Sequence, residues 1–158
     1  MTIETVDMSQ KLAAIKRKHN SSDIRNKAYR NDLATLWGYS HDTDAVNDCG
    51  VILNPERLIL YENNLSYIHV KLVETPIHLW IYSFSWSSLT CGMGYAPSIR
   101  TVKAYKSRED SRLAAIEALI KRFEAFSSSA GYSQSEMKEA IQMLKALREA
   151  HAPQLALW

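Results

Sequence analysis

Cys91 stands in the run Thr90-Cys-Gly-Met-Gly-Tyr-Ala-Pro97, where glycines bound a turn and expose a candidate nucleophile. The attacking species is the thiolate, so such chemistry needs a nearby base or cation, and His69 and His78 are the candidates. Two cysteines and five histidines produce such pairs by chance, and no nucleophile signature surrounds this one. His41-Asp42-Thr43-Asp44, followed by Asp48, spaces carboxylates two apart, as ligands of a hard cation would be. Val46 then occupies the position of a third ligand, and Asn47 stands where a calcium loop has glycine. The run predicts a polar loop. Gly92-Met93-Gly94 is a G-x-G without the strand-to-helix setting of a phosphate loop.

The stretch His78-Leu-Trp-Ile-Tyr-Ser-Phe-Ser-Trp86 carries more information, because Trp80, Tyr82, Phe84 and Trp86 occupy every second position. On a strand they form one stripe. Each large aromatic presents ~150–250 Å², so four exposed together would show on the order of 600–1000 Å², above the roughly 300–600 Å² of a monomer's largest apolar patch. The stripe therefore needs a cover, either the N-terminal helices or a partner.

The elements that position these residues follow from hydrophobic period. Met8, Leu12 and Ile15 predict a helix over 9–18, with Asp7 or Ser9 as cap. Ile24, Ala28, Tyr29, Leu33, Leu36 and Trp37 predict a second, capped by Ser22 and stopped at Gly38. The period then changes to two. Residues 57–62, 65–73 and 77–87 predict strands of an antiparallel meander, joined by two-residue turns at Asn63-Asn64 and Thr75-Pro76, and residues 98–105 a fourth. Those turns place Leu60 opposite Tyr67, Leu58 opposite His69, Tyr67 opposite Phe84 and His69 opposite Tyr82. The stripe then shares a face with Tyr67, His69, Lys71 and His78, while Ile59, Ile68, Val70, Leu72, Ile77, Leu79 and Ile81 form the core face. Ser107-Arg-Glu-Asp110 caps a third helix with Leu113, Ile116, Leu119, Ile120 and Phe123 on its apolar side, and that helix is expected on the core face. Ser133-Gln-Ser-Glu136 caps a fourth, which Pro153 ends.

The expected fold class is α+β: an antiparallel three- or four-stranded meander sheet with two N-terminal and two C-terminal helices. One domain spans residues 1–158, with a helical segment at 1–38, the sheet at 51–105 and the C-terminal helices at 107–151. With 46% hydrophobic and 23% charged residues over 158 positions, the chain is long enough to bury a core without staples. Net charge is only +2, yet Lys11, Lys16, Arg17, Lys18, Arg25, Lys27 and Arg30 cluster before an acidic stretch. The N-terminal residues lack a basic and apolar leader pattern, and no apolar run reaches the ~18 residues that span a bilayer. The expected location is cytoplasmic, without membrane association, and with free thiols.

The succession of aromatic strand, CGMGYAPS turn and SREDSRLAAIEALIKRF, from about Trp80 to Phe126, resembles a pattern in small accessory proteins of phages and plasmids. That resemblance implies a class of function, stoichiometric binding to host defence or regulatory machinery as in anti-CRISPR and anti-restriction proteins, and carries over no residue. The basic N-terminal segment departs from the acidic, nucleic-acid-mimicking members of that group. The expectation is therefore a non-enzymatic binding protein without cofactor or metal, acting on a protein or nucleoprotein partner. Its anchors would be Trp80, Tyr82, Phe84, Trp86, Tyr67 and His69, since such residues dominate interface hot spots. The first alternative is nucleic-acid binding through the aromatic face with Lys16, Arg17, Lys18, Arg25 and Lys71. The second is a Cys91-dependent enzyme. The apolar tail Leu155-Ala-Leu-Trp158 also allows a homodimer.

Overall fold

The structure, a computed structural model, describes residues 2–41, 43–88, 91–126 and 134–150. A short strand β1 (Thr5–Asp7) leads into α1 (Ser9–His19), where Asp7 accepts the Ser9 N–H at 2.8 Å and satisfies one of the orphan donors of the first turn. Asn20 ends α1 in the left-handed conformation (φ 46°), its N–H bonded to the Arg17 carbonyl. The second helix, α2 (Lys27–Leu36), begins later than its Ser22 cap predicts: Asn26 is the cap, accepting the Tyr29 N–H at 3.1 Å. The reason is local competition. Ser21 and Asp23 accept the N–H groups of Asp23 and Arg25, which holds 21–25 in turns. Gly38 (φ +88°) closes α2 as expected, and a Cβ there would also meet Ile77 Cγ2 at 2.9 Å.

The sheet has six antiparallel strands, adding β2 (Glu56–Glu62), β3 (Tyr67–Glu74), β4 (Trp80–Ser87), β5 (Gly92–Gly94) and β6 (Lys103–Tyr105). Their order is β1-β6-β4-β3-β2, with β5 also paired to β4. The expected fourth strand is shorter than 98–105, and β1 and β5 carry no sequence signal strong enough to announce them, being three residues each.

Both predicted turns are too short: the first loop is longer by two residues, which keeps the parity, and the second by three, which changes the faces. Glu62 pairs with Tyr67 across a four-residue loop, in which Asn63 Oδ1 accepts the N–H groups of Leu65 and Ser66. Glu74 pairs with Trp80 across a five-residue loop, Thr75 to Leu79, in which the Leu79 carbonyl accepts both the Thr75 N–H and its hydroxyl. In this register Val70 faces Phe84, Leu72 faces Tyr82 and Ile68 faces Trp86, while His69 faces Ser85. The aromatic stripe thus shares its face with Ile68, Val70 and Leu72, and Tyr67, His69 and Lys71 lie on the other. A register shift between Ile59 and Tyr61 puts Leu58 opposite Val70 and Ile59 opposite His69.

Helices α3 (Arg108–Phe126) and α4 (Gln134–Glu149) cover the aromatic face. Ser107 Oγ accepts the Asp110 N–H at 3.0 Å, as its capping sequence predicts. Ser133, Pro153 and the Leu155–Trp158 tail lie outside the described residues. Ile116, Leu119, Phe123, Met137 and Leu144 close over Val70, Leu72, Phe84 and Trp86. Helices α1 and α2 cover part of the opposite face, where Met8, Tyr29, Leu33 and Trp37 pack on Val73, Ile81, Ile99 and Ala104. Trp37 is fully buried and donates its indole N–H to the Ile99 carbonyl at 2.7 Å. The architecture is α+β in three layers, helix pair on sheet on helix pair.

Phe123 meets Trp86 edge to face, with centroids 5.1 Å apart. The Phe123→Ala variant is expected to lose about 3–5 kcal/mol of unfolding free energy in urea titration. A loss below about 1 kcal/mol would show that α3 is not the cover of the stripe.

Candidate functional site

The site begins with parity. Odd positions of β3 point away from α3 and α4, and the α1–α2 layer reaches only as far as Val73 and Ile81, so the outer part of this face is open. There Arg57, Glu62, Asn63, Tyr67, His69, Lys71 and Ser85 line a shallow groove of 490 Å³. Beside it Ile59 is 58% exposed.

His69 is the centre of this groove and is itself buried, at 5% exposure. Tyr67 stacks on its ring at 4.5 Å, Arg57 Nη2 lies 2.8 Å from Nδ1, and Glu62 Oε2 lies 2.7 Å from Nε2. The guanidinium has donors only, so Nδ1 accepts from Arg57, and Nε2 carries the proton that it donates to Glu62. One tautomer satisfies both contacts. The ring is thereby locked between a cation and an anion, with the half-buried Lys71 opposite Arg57. The result is a rigid platform with an aromatic ring, two cations and one carboxylate at its surface.

Of the six expected anchors, Tyr67 and His69 belong to this face and the stripe does not. Phe84 and Trp86 are core, each 3% exposed, and Trp80 and Tyr82 are half-buried on the same side. The cover is neither the N-terminal helices nor a partner; it is α3 and α4. Tyr82 stacks near Phe84 and Tyr105, and Tyr95 meets Phe84 edge to face at 5.0 Å. Burial pushes the Tyr82 and Tyr105 phenols above their ordinary range and Tyr95 up to about 12, so all three remain neutral at physiological pH.

Neither histidine reaches Cys91. The thiol is half-buried on the α3–α4 side, with Sγ 3.3 Å from Ser88 Oγ. His69 is on the opposite face, and His78 follows the far end of β3, about 23 Å of strand away. Cys49 is an exposed free thiol. Among the described residues no cluster of three or more His, Cys, Asp or Glu could hold a metal ion, and no helix is long and apolar enough to cross a membrane.

The basic residues divide. Lys16, Arg17 and Lys18 are exposed at the C-terminal end of α1, Lys18 is paired with Asp32 at 2.7 Å, and Arg25 is held by Asp23 at 3.0 Å. Lys71 is on the sheet, on the side that carries α1 and α2. Arg57 and Glu62, the residues that fix His69, have no motif in the sequence. The correct register, with Arg57 opposite Lys71 and Ile59 opposite His69, is the signal that finds them.

The neutral His69 ring is expected in the Nε2–H form, and long-range ¹H–¹⁵N correlation spectra of the imidazole check it; an Nδ1–H ring would rule out the Arg57 contact. Lys18 first, then His19, hydrogen-bonds Asp32 and holds its carboxyl below the usual range. A lowered folded pKa contributes stability above the unfolded value, lost as pH falls through the folded one. Asp32→Asn is therefore expected to cost roughly 0.5 kcal/mol at about pH 6, with the gap closing by about pH 2. Urea titrations at the two pH values read it, and a constant gap would exclude the carboxylate as its source.

Compared with known proteins, the chain matches no family model, no curated protein and no solved structure.

Proposed function

We propose that the chain is a non-enzymatic binding protein that seats a protein or nucleoprotein partner on the open part of its sheet. The observation that carries this reading is the Tyr67–His69 ring pair, clamped by Arg57 and Glu62 beside the exposed Ile59, where the α1–α2 layer stops. Tyrosine and arginine are the side chains that concentrate binding energy, and a ring already fixed by two hydrogen bonds loses little entropy on docking. Two cations against one carboxylate favour an acidic patch on the partner. A stoichiometric regulator or inhibitor of host machinery, as phage and plasmid accessory proteins supply, fits a surface of this kind.

Nucleic-acid binding is the second reading, supported by one observation: Arg57 and Lys71 lie on the same side of the sheet as the helices that carry Lys16 and Arg17. Such binding would weaken steeply with salt.

Affinity capture from lysate of the source cell tests the first reading. An Arg57→Glu/Lys71→Glu variant is expected to lose its partner, while Lys138→Glu, on the exposed side of α4, retains it. Equal capture by both would remove the sheet face as the interface. Oligonucleotide titrations at two salt concentrations distinguish the second reading, which requires an affinity that falls as salt rises and drops further in the Arg57/Lys71 variant.

A further inference from the structure

His69 is the buried titratable group of the open groove, and the two side chains bonded to its ring carry opposite charges. Arg57 Nη2 lies 2.8 Å from Nδ1 and 3.4 Å from Nε2, so the guanidinium sits against the ring, while Glu62 Oε2 lies 2.7 Å from Nε2. Both contacts fit the neutral ring alone, with a lone pair on Nδ1 for Arg57 and a proton on Nε2 for Glu62. A second proton can go only to Nδ1. There it meets an N–H of Arg57 at hydrogen-bond distance, donor against donor and cation against cation.

Exposure and reach decide which contact gives way. The imidazole is 5% exposed and stacked on Tyr67 at 4.5 Å, and on protonation its bond to Glu62 becomes a charge-assisted ion pair. Arg57 is exposed, on the edge strand β2, at the end of a long flexible side chain. The ring therefore stays and the guanidinium leaves. The groups around the ring are Arg57 and Glu62 from β2, Tyr67 and Lys71 from its own strand, and Ser85 from β4, and among the described residues none of the groove's lining comes from α1 or α2. Lys71 stands directly opposite Arg57, so the only carboxylate in the groove is the one that the protonated ring would hold.

We propose that His69 is a proton-operated gate for this groove: uptake of one proton at Nδ1 releases Arg57 into the groove mouth and raises the cations of the surface from two to three, so that an anionic partner docks more tightly as pH falls. The gate rests on the partner surface proposed above and adds its regulation. By linkage, a bound partner raises the proton affinity of His69 by the same factor, and one coupled proton limits the gain to about tenfold per pH unit.

NMR titration of full-length ¹³C/¹⁵N-labelled protein at constant ionic strength follows the His69 ring together with the Arg57 δ-methylene and Cζ signals. Both residues are expected to change with a single midpoint, the ring nitrogens showing Nδ1 passing from unprotonated to protonated. Arg57→Gln, a substitution at an exposed position, should move the His69 midpoint up by about one pH unit, because the ring then takes its proton without displacing a cation. Calorimetry with a hexapeptide of cysteic acid, whose sulfonates keep their charge throughout, reads the docking. The parent protein is expected to bind it about fivefold more tightly one pH unit below the His69 midpoint than one unit above, and His69→Gln to bind it equally at both. The proposal is overturned if His69 takes up no proton in the folded protein, if the Arg57 signals stay flat through the His69 titration, if Arg57→Gln leaves the midpoint unmoved, or if the parent binds the peptide equally at both pH values. A groove that binds no peptide at either pH, while Arg57 still follows His69, overturns the acidic partner and the gate with it, and is thereby told apart from a failure of the ring contact.

Discussion

The five-residue connection from Thr75 to Leu79 decides which side of the sheet is core. Its ends are tied by Thr75, whose N–H and hydroxyl both donate to the Leu79 carbonyl, and whose Oγ1 accepts the Leu79 N–H at 3.3 Å. Thr75 is itself buried, at 1% exposure, so these bonds form away from competing water. Side chains alternate with a period of two, and one residue more or less in this loop would exchange the faces of β4 relative to β3. With the observed length, four aromatics and the Ile68, Val70 and Leu72 row add to one apolar surface, large enough to seat two helices.

The consequences for function run through what is left over. Once the apolar positions are gathered on one side, the outer part of the other side receives Arg57, Glu62, Tyr67, His69 and Lys71. A buried imidazole there is stable because both of its nitrogens are engaged, one by a donor and one by an acceptor. The polar platform and the closed aromatic core are thus two outcomes of one register. The same packing leaves the Trp86 indole nitrogen buried without a hydrogen-bond partner among the described residues.

Much of the fold was legible in local sequence. Helix α1, the Ser107 cap and the Gly38 stop follow from residue types whose backbone preferences act over a single turn. Strand identity in β2, β3 and β4 followed from alternation, although β4 begins at Trp80 and Ile77 sits exposed in the loop. The start of α2 was misplaced because Ser22 and Asn26 are both competent caps, and the turns made by Ser21 and Asp23 decide between them. The candidate site was legible only in pieces: Tyr67, His69 and Lys71 were grouped correctly, since they share a parity within one strand, but with the wrong aromatic neighbours.

What the sequence by itself determined was the class of the protein: four helices around an antiparallel sheet, an aromatic stripe too large to remain bare, and polar handles at alternate positions of β3. These depend on periodicity and capping, which are properties of a few adjacent residues. Tertiary structure alone decided which helices cover the stripe, that His69 is gripped by Arg57 and Glu62, and that neither His69 nor His78 approaches Cys91. Each of those depends on register across a loop, and a loop's length is set by hydrogen bonds that close only when both strands are in place.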